Sequence, residues 1–353
     1  MNTIADAGEH DLIARVRARA GSPPSFVPIG IGDDAAVVEP ARGMLDVITT
    51  DALVEHVHFR RDWTDARSIG TKAVTVNLSD LAAMGATPRV ILLSLILPPA
   101  MALSDFDALI DGAVSASTAA GASVVGGNIS RSPGPLVVDV TAMVSVGRRR
   151  VMTRGGGRAG DELYVTGTVG GAAAGLAILQ SGVDRASLSE AEAASVARYE
   201  RPEARLRCGR VIAGSRSASA CMDLSDGLAD AARQIAEASG TGVTLDAESI
   251  PLGVRPSSDP VQTLLRPSSD LGHLGHARVS PGPDPVLDAA LTGGEDYELL
   301  FAVRPRRRRA FLGAMAKCRP LQATLVGRLT KDPAVVLARG TEQTTLNSGF
   351  RHF

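Results

Sequence analysis

Short motifs rich in oxygen ligands recur along this chain, and they carry its chemistry. Gly32-Asp33-Asp34 ends a glycine-rich turn, and Thr49-Thr50-Asp51 closes an apolar run. Asn77 and Asp80 lie three apart in KAVTVNLSDLAAMGA, residues 72–86. Further on come Gly126-Gly127-Asn128, Asp223-Leu224-Ser225-Asp226-Gly227 and Gly293-Gly294-Glu295-Asp296-Tyr297-Glu298. Carboxylates gathered in one site need cations to neutralise them; without cations their pKa values rise and they protonate. Magnesium with a polyphosphate meets that need, because it binds through a few carboxylates plus phosphate oxygens and keeps several waters. The pattern points to phosphoryl transfer from a nucleotide. No Gly-x4-Gly-Lys-Ser/Thr loop is present, and Gly30-Ile31-Gly32 lacks the third glycine and the helix of a dinucleotide fingerprint. No serine–histidine–acid or cysteine–histidine set competes for the chemistry.

Each motif also has a plain structural reading. Asp33 and Asp34 suit a turn, and Thr49, Thr50 and Asp51 suit a cap. Asp80 can pair with Lys72, and Ser225 or Asp226 can cap the helix that follows. His56 and His58, two apart in an extended segment, point the same way, but no third nitrogen or sulfur ligand lies near for zinc.

The elements that must hold these motifs alternate. A helix is predicted over 8–20, a strand over 44–54, and a buried helix over 72–86 stopped by Gly85. Strand 89–98, helix 103–120 and strands 122–132 and 135–147 follow. The glycine- and arginine-rich stretch 147–162 reads as a junction between domains 1–150 and 151–353. Beyond it, LYVTGTVGGAAAGLAIL reads as strand, glycine turn and helix, with tight packing the favoured role of its glycines. Residues 220–240 read as strand, acidic turn and amphipathic helix. A Pro/Ser-rich insert at 253–288 carries RPSSD twice, and strands return at YELLFAV, LVGRL and AVVLA. Arg306–Arg309 reads as the start of a solvated helix, and Arg154 as a phosphate ligand whose flanking glycines admit close approach.

Composition bounds the rest. The 353 residues are 44% hydrophobic and 21% charged, with a net charge of -1. That is an ordinary globular balance with no field favouring nucleic acid or acidic membranes. Cys208, Cys221 and Cys318 show neither zinc nor disulfide spacing, which fits a reducing cytoplasm. The N-terminus lacks the apolar core of a secretion signal, and no apolar run reaches the ~18 residues of a membrane span.

GIGDDAAV, TTDALVEHVHF, KAVTVNLSDLAAMGA, YVTGTVGGAAAGLAIL, MDLSDGLADA and LTGGEDYELLF, in this order, resemble the thiamine-monophosphate kinases. NLSDLAAMGA is shared with the wider aminoimidazole-ribonucleotide-synthetase superfamily, whereas DLSDGL with GGEDYEL is specific to the kinases. The resemblance implies a two-domain α/β (α+β) fold and a homodimer joined through a β-barrel of N-domain strands. It implies ATP-dependent phosphorylation of thiamine monophosphate to thiamine diphosphate. Magnesium ligands would fall on Asp34, Thr49, Thr50, Asp51, Asp80, Asn128, Asp223 and Asp226. ATP would meet Gly127, Asn128, Arg154 and Ser225, and the thiamine end would meet His58 and Glu295.

Two departures stand out. Asn128 replaces the family's usual aspartate and brings no charge. Asn347 occupies the place of a substrate-stacking aromatic, with Phe350 nearby to take that role. The implied mechanism is direct in-line transfer with no residue as acid or base, since a phosphate monoester is largely ionised at neutral pH. The alternatives are another ATP-dependent enzyme of the superfamily, or a non-catalytic nucleotide-binding relative. Selenium-type chemistry would need a reactive group near the N-terminus, and no cysteine precedes Cys208.

Overall fold

The computed structural model describes residues 3–253 and 284–346. Most of the 253–288 insert, Asn347 and Phe350 lie outside the described residues. The chain divides into two compact units, Met1–Leu81 with Ala86–Arg149, and Ala82–Gly85 with Arg150–Phe353.

The first unit contains α1 (Ile4–Ala7), α2 (Glu9–Ala20), β1 (Met44–Val54), α3 (Ala66–Ala83, whose last residues belong to the second unit), β2 (Thr87–Leu97), α4 (Leu103–Ala119), β3 (Ser123–Arg131) and β4 (Val137–Gly147). Its sheet runs β1-β4-β2-β3, antiparallel except for the parallel β2–β3 pair. Side chains alternate across a strand. On one face Leu53, Val138, Val140, Ala142, Leu93 and Leu95 are buried. The other face leaves Met44, Ile48 and Leu92 in solvent, Ile48 at 65%.

Helix α3 begins six residues before the expected Lys72. Asp65 starts it by accepting from the Ser68 N–H (2.9 Å) and hydroxyl (2.8 Å). Gly70 does not break it but lets it touch α4: a Cβ there would fall 2.0 Å from the Leu109 carbonyl oxygen, and one at Gly112 would fall 2.0 Å from that of Arg67. The helix ends as the sequence predicts. Gly85 has φ 69°, and the Ala86 N–H reaches back to the Leu81 carbonyl (3.0 Å), closing a Schellman turn.

The second unit contains β5 (Glu162–Thr166), α5 (Gly171–Gln180), α6 (Glu190–Glu200), α7 (Leu206–Ser215), β6 (Ala220–Asp223), α8 (Leu228–Ser239), β7 (Gly242–Asp246), α9 (Pro285–Thr292), β8 (Leu299–Val303), α10 (Arg308–Met315), β9 (Ala323–Thr330), β10 (Val335–Arg339) and β11 (Glu342–Thr345). They form a mixed sheet ordered β11-β10-β7-β9-β5-β8-β6. The sheet is buried on both faces. One core gathers Leu228, Ala232 and Ile235 of α8 with Leu163, Val165 and Leu300. The other gathers Ile212, Phe311 and Met315 with Tyr164 and Phe301. Every residue of the inner strands β5 and β8, and of the edge strand β6, is buried.

Candidate functional site

In the first unit β1 splits the Thr-Thr-Asp motif between two faces. Thr49 turns toward α3, and its hydroxyl donates to Asp80 Oδ2 (2.6 Å). Asp51, two residues on, shares that face. Thr50 turns the other way and meets Asp139 Oδ1 (3.0 Å) and Thr141 Oγ1 (3.1 Å). Asn128 pairs with Ser94, Ser94 with Asp139, and Asp139 with Ala52, so Asn128 stands on the Thr50 face. Its amide donates to the Ser130 hydroxyl (3.0 Å). The structure thus brings Thr49 and Asp80 together, puts Asp51 on the same face of β1, and sets Thr50 and Asn128 on the opposite face. Asp34 lies exposed in the loop before β1, its N–H bonded to Asp33 Oδ1 (2.8 Å).

The structural reading of Asp80 is corrected. Lys72 lies eight residues back, about 12 Å of helix rise, and its ammonium reaches the His58 carbonyl (3.4 Å). Thr49 is the one hydrogen-bond partner of Asp80 among the described residues. One turn away, Asn77 donates to the Ala73 carbonyl (3.1 Å) while its buried Oδ1 accepts nothing. Asp80 itself is half-buried, so carboxylate oxygen remains open beside a hydroxyl and a second carboxylate. These hard oxygens fit magnesium.

The paired-histidine reading fails. His56 has φ 69° and sits in a turn, so the segment is not extended. His58 Nδ1 accepts the Val54 N–H (3.0 Å), which in the neutral ring leaves the proton on Nε2.

In the second unit the two acidic motifs lie backbone to backbone. The Glu295 N–H donates to the Ser225 carbonyl (2.7 Å), Tyr297 N–H to the Leu224 carbonyl (3.0 Å), and Leu224 N–H to the Glu298 carbonyl (2.9 Å). Glu295 and Tyr297 hold φ of 58° and 50°, a conformation that side chains rarely adopt and that the flanking bonds enforce. Asp223 is buried at the end of β6, and Ser225 and Asp226 are half-buried in the turn after it. Neither Ser225 nor Asp226 caps α8; Gly227 does, with φ 96°, and no side chain bonds there. The Ser225 hydroxyl instead donates to Asp226 Oδ2 (3.5 Å).

Sequence reasoning missed what anchors this turn. Glu298 is fully buried and accepts from Thr166 (2.6 Å), Arg198 (2.8 Å) and both arms of Arg205 (2.9 and 2.6 Å). Asp296 accepts the amides of Gly170 (2.5 Å) and Ala172 (3.1 Å) at the start of α5, with Arg198 Nε at 3.3 Å. Burial raises the Asp296 pKa against the pull of Arg198 and those amides. The glycine turn before α5 thus holds the chain's own carboxylate, in line with its structural reading. Arg198 and Arg205, seven apart around Arg201-Pro202, were the available signal.

Arg154 is exposed and bonds Gln234 Oε1 (2.5 Å) on α8. Its neighbouring glycines serve packing: a Cβ at Gly155 would fall 2.7 Å from the Ala238 carbonyl oxygen, and one at Gly156 would fall 2.7 Å from that of Ser219. Gly127 is likewise pressed against Leu93, 1.8 Å from its carbonyl oxygen by the same measure.

The chain matches the model of the AIR synthase related protein N-terminal domain over residues 32–146, and that of the C-terminal domain over 158–339. It is 35% identical to the thiamine-monophosphate kinase of Synechococcus elongatus, over 99% of this chain and 98% of that one. Among solved structures it is similar to thiamine-monophosphate kinase from Stenotrophomonas maltophilia K279a, with a TM-score of 0.75 and 35% identity over 94% of this chain and 96% of that one. It is also similar to AaThiL complexed with AMPPCP and TMP, with a TM-score of 0.70 and 30% identity over 100% of this chain and 99% of that one.

Replacing Glu298 by alanine leaves two guanidiniums without their buried acceptor. Glu298→Ala is expected to lose about 3–5 kcal/mol of stability, read by urea unfolding. A loss below about 1 kcal/mol would mean water or other acceptors replace it readily.

Proposed function

The chain belongs to the thiamine-monophosphate kinase family of AIR synthase related proteins, and from that premise we infer that it phosphorylates thiamine monophosphate with ATP, giving thiamine diphosphate and ADP. The observation that carries this reading is the end-to-end likeness to such kinases, one of them complexed with AMPPCP and TMP.

The substrate's phosphate oxygen attacks the γ-phosphorus in line, and ADP leaves. The attacking oxygen is already ionised, because the second pKa of a phosphate monoester is about 6. No side chain needs to take a proton, and the protein's part is positioning and charge balance. Magnesium, when bound, neutralises charge between the triphosphate and the acceptor phosphate. Asp80, Asp51 and the Thr49 hydroxyl are its best-supported ligands, because they share one face and Asp80 keeps open oxygen. By resemblance alone, Asp34, Thr50, Asn128, Asp223 and Asp226 are further proposed ligands, Thr50 and Asn128 standing on the opposite face of the first sheet from Thr49. Ser225, Gly127, Asn128 and Arg154 are assigned to ATP. His58 offers Nε2–H, and Glu295 a carboxylate, to the cationic thiamine end. Phe350 is assigned by resemblance.

A homodimer is proposed on the exposed apolar face of the first sheet, where Met44, Ile48 and Leu92 stand in solvent. Burying such a face against a second copy removes it from water. Among the described residues no helix is long and apolar enough to cross a membrane, and a cytoplasmic location is proposed in keeping with the three free thiols.

Purified protein with ATP and magnesium should convert thiamine monophosphate and barely use thiamine; equal turnover of thiamine would exclude a phosphate as the attacking group. Asp80→Asn should lose about 100-fold or more in kcat with little change in melting temperature. A less stable variant with normal turnover would make Asp80 a structural residue.

Asn128 has a separate test. Magnesium prefers anionic oxygen, so Asn128→Asp should lower the magnesium concentration needed for half activity if residue 128 is a ligand. An unchanged or higher requirement would remove it from the ligand set.

A further inference from the structure

A second basic site lies in the C-terminal unit, among residues that the kinase reading does not use. A cavity of about 700 Å³ is walled by the guanidinium-bearing residues Arg216, Arg304, Arg306 and Arg307, and otherwise by glycine, serine and alanine alone. No acidic residue lines it. Among the described residues none of the four guanidiniums pairs with a carboxylate; Arg307 bonds the Ser215 and Arg216 carbonyls (both 3.2 Å). Arg308, next in sequence but not in the wall, is paired with Glu162. The Nε of Arg304 is buried and has no hydrogen-bond partner. A carboxylate stands behind one wall: Asp161 accepts from the Ser219 hydroxyl (2.7 Å) and the Arg158 N–H (3.1 Å) and is itself buried.

Four like charges around one cavity repel one another unless an anion neutralises them, and an unpartnered buried donor is costly. Planar guanidiniums suit oxyanions of phosphate geometry. The wall offers no aromatic ring and no large apolar side chain. It therefore offers neither an aromatic nor an apolar surface to hold a nucleobase or a thiamine ring.

We propose that this cavity is an anion site for a compact multivalent inorganic phosphate of the diphosphate class, separate from the site of phosphoryl transfer. The ligand's oxygens would accept from the guanidinium arms of Arg216, Arg304 and Arg306 that face the cavity. The proposal does not depend on the kinase reading, and either can fail alone.

The test is equilibrium dialysis of radiolabelled inorganic diphosphate against the full chain, with AMPPCP and magnesium held saturating so that the nucleotide's own phosphate site is filled. One diphosphate per chain is expected to bind under these conditions. Removing one charged donor should weaken it about tenfold in Arg304→Gln and in Arg306→Gln. Arg306 is exposed, so its variant does not put folding at stake. Arg309→Gln, outside the wall, should bind as the parent does. No binding once AMPPCP is present would overturn the proposal. So would equal weakening by Arg306→Gln and Arg309→Gln, which would mark a diffuse basic surface.

Discussion

A carboxylate sealed from water must find a donor for each oxygen or protonate. Glu298 solves this with Thr166, Arg198 and both arms of Arg205. The consequences spread outward. Arg198 ties Asp296 to the same cluster, and Asp296 holds the first amides of α5. The backbone between them is bonded to the turn that follows β6. The position of Asp223, Ser225 and Asp226 thus rests on a buried ion cluster whose members lie far from them in sequence.

The two acidic motifs of the second unit consequently divide their work. In Gly-Gly-Glu-Asp-Tyr-Glu, Asp296 and Glu298 are spent on structure. The αL conformation at Glu295 and Tyr297 goes with the commitment of their amides to the neighbouring turn. The arrangement in the first unit is different. There Asp80 is held by one hydroxyl on the adjacent strand, so its charge is left available rather than satisfied.

Much of this was legible in the sequence. Strand β1, the Gly85 stop of α3, and the strand–turn–helix around Asp223 appear where local patterns put them, because alternation, glycine stops and amphipathic spacing are local signals. What was not legible depends on distant partners. Helix α3, expected from Lys72, starts at Ala66, with Gly70 inside it pressed against the Leu109 carbonyl. The histidines at 56 and 58 looked parallel because nothing in their types announces a positive φ. Only the register of β1, β4, β2 and β3 shows that Thr50 and Asn128 occupy the face opposite Thr49. Glu298 looked like one more candidate ligand, since the arginines that claim it lie some 100 residues earlier in the sequence.

A protein that only positions two phosphates and balances their charge makes no covalent bond to the phosphoryl group in transit. Its stereochemistry therefore tests the account directly. ATP made chiral at the γ-phosphorus with oxygen isotopes, and the thiamine diphosphate formed from it, can be compared by ³¹P NMR. Direct in-line transfer predicts inversion at that phosphorus. Retention would mean two displacements through a phosphorylated side chain, and would contradict the assignment of no nucleophile to this protein.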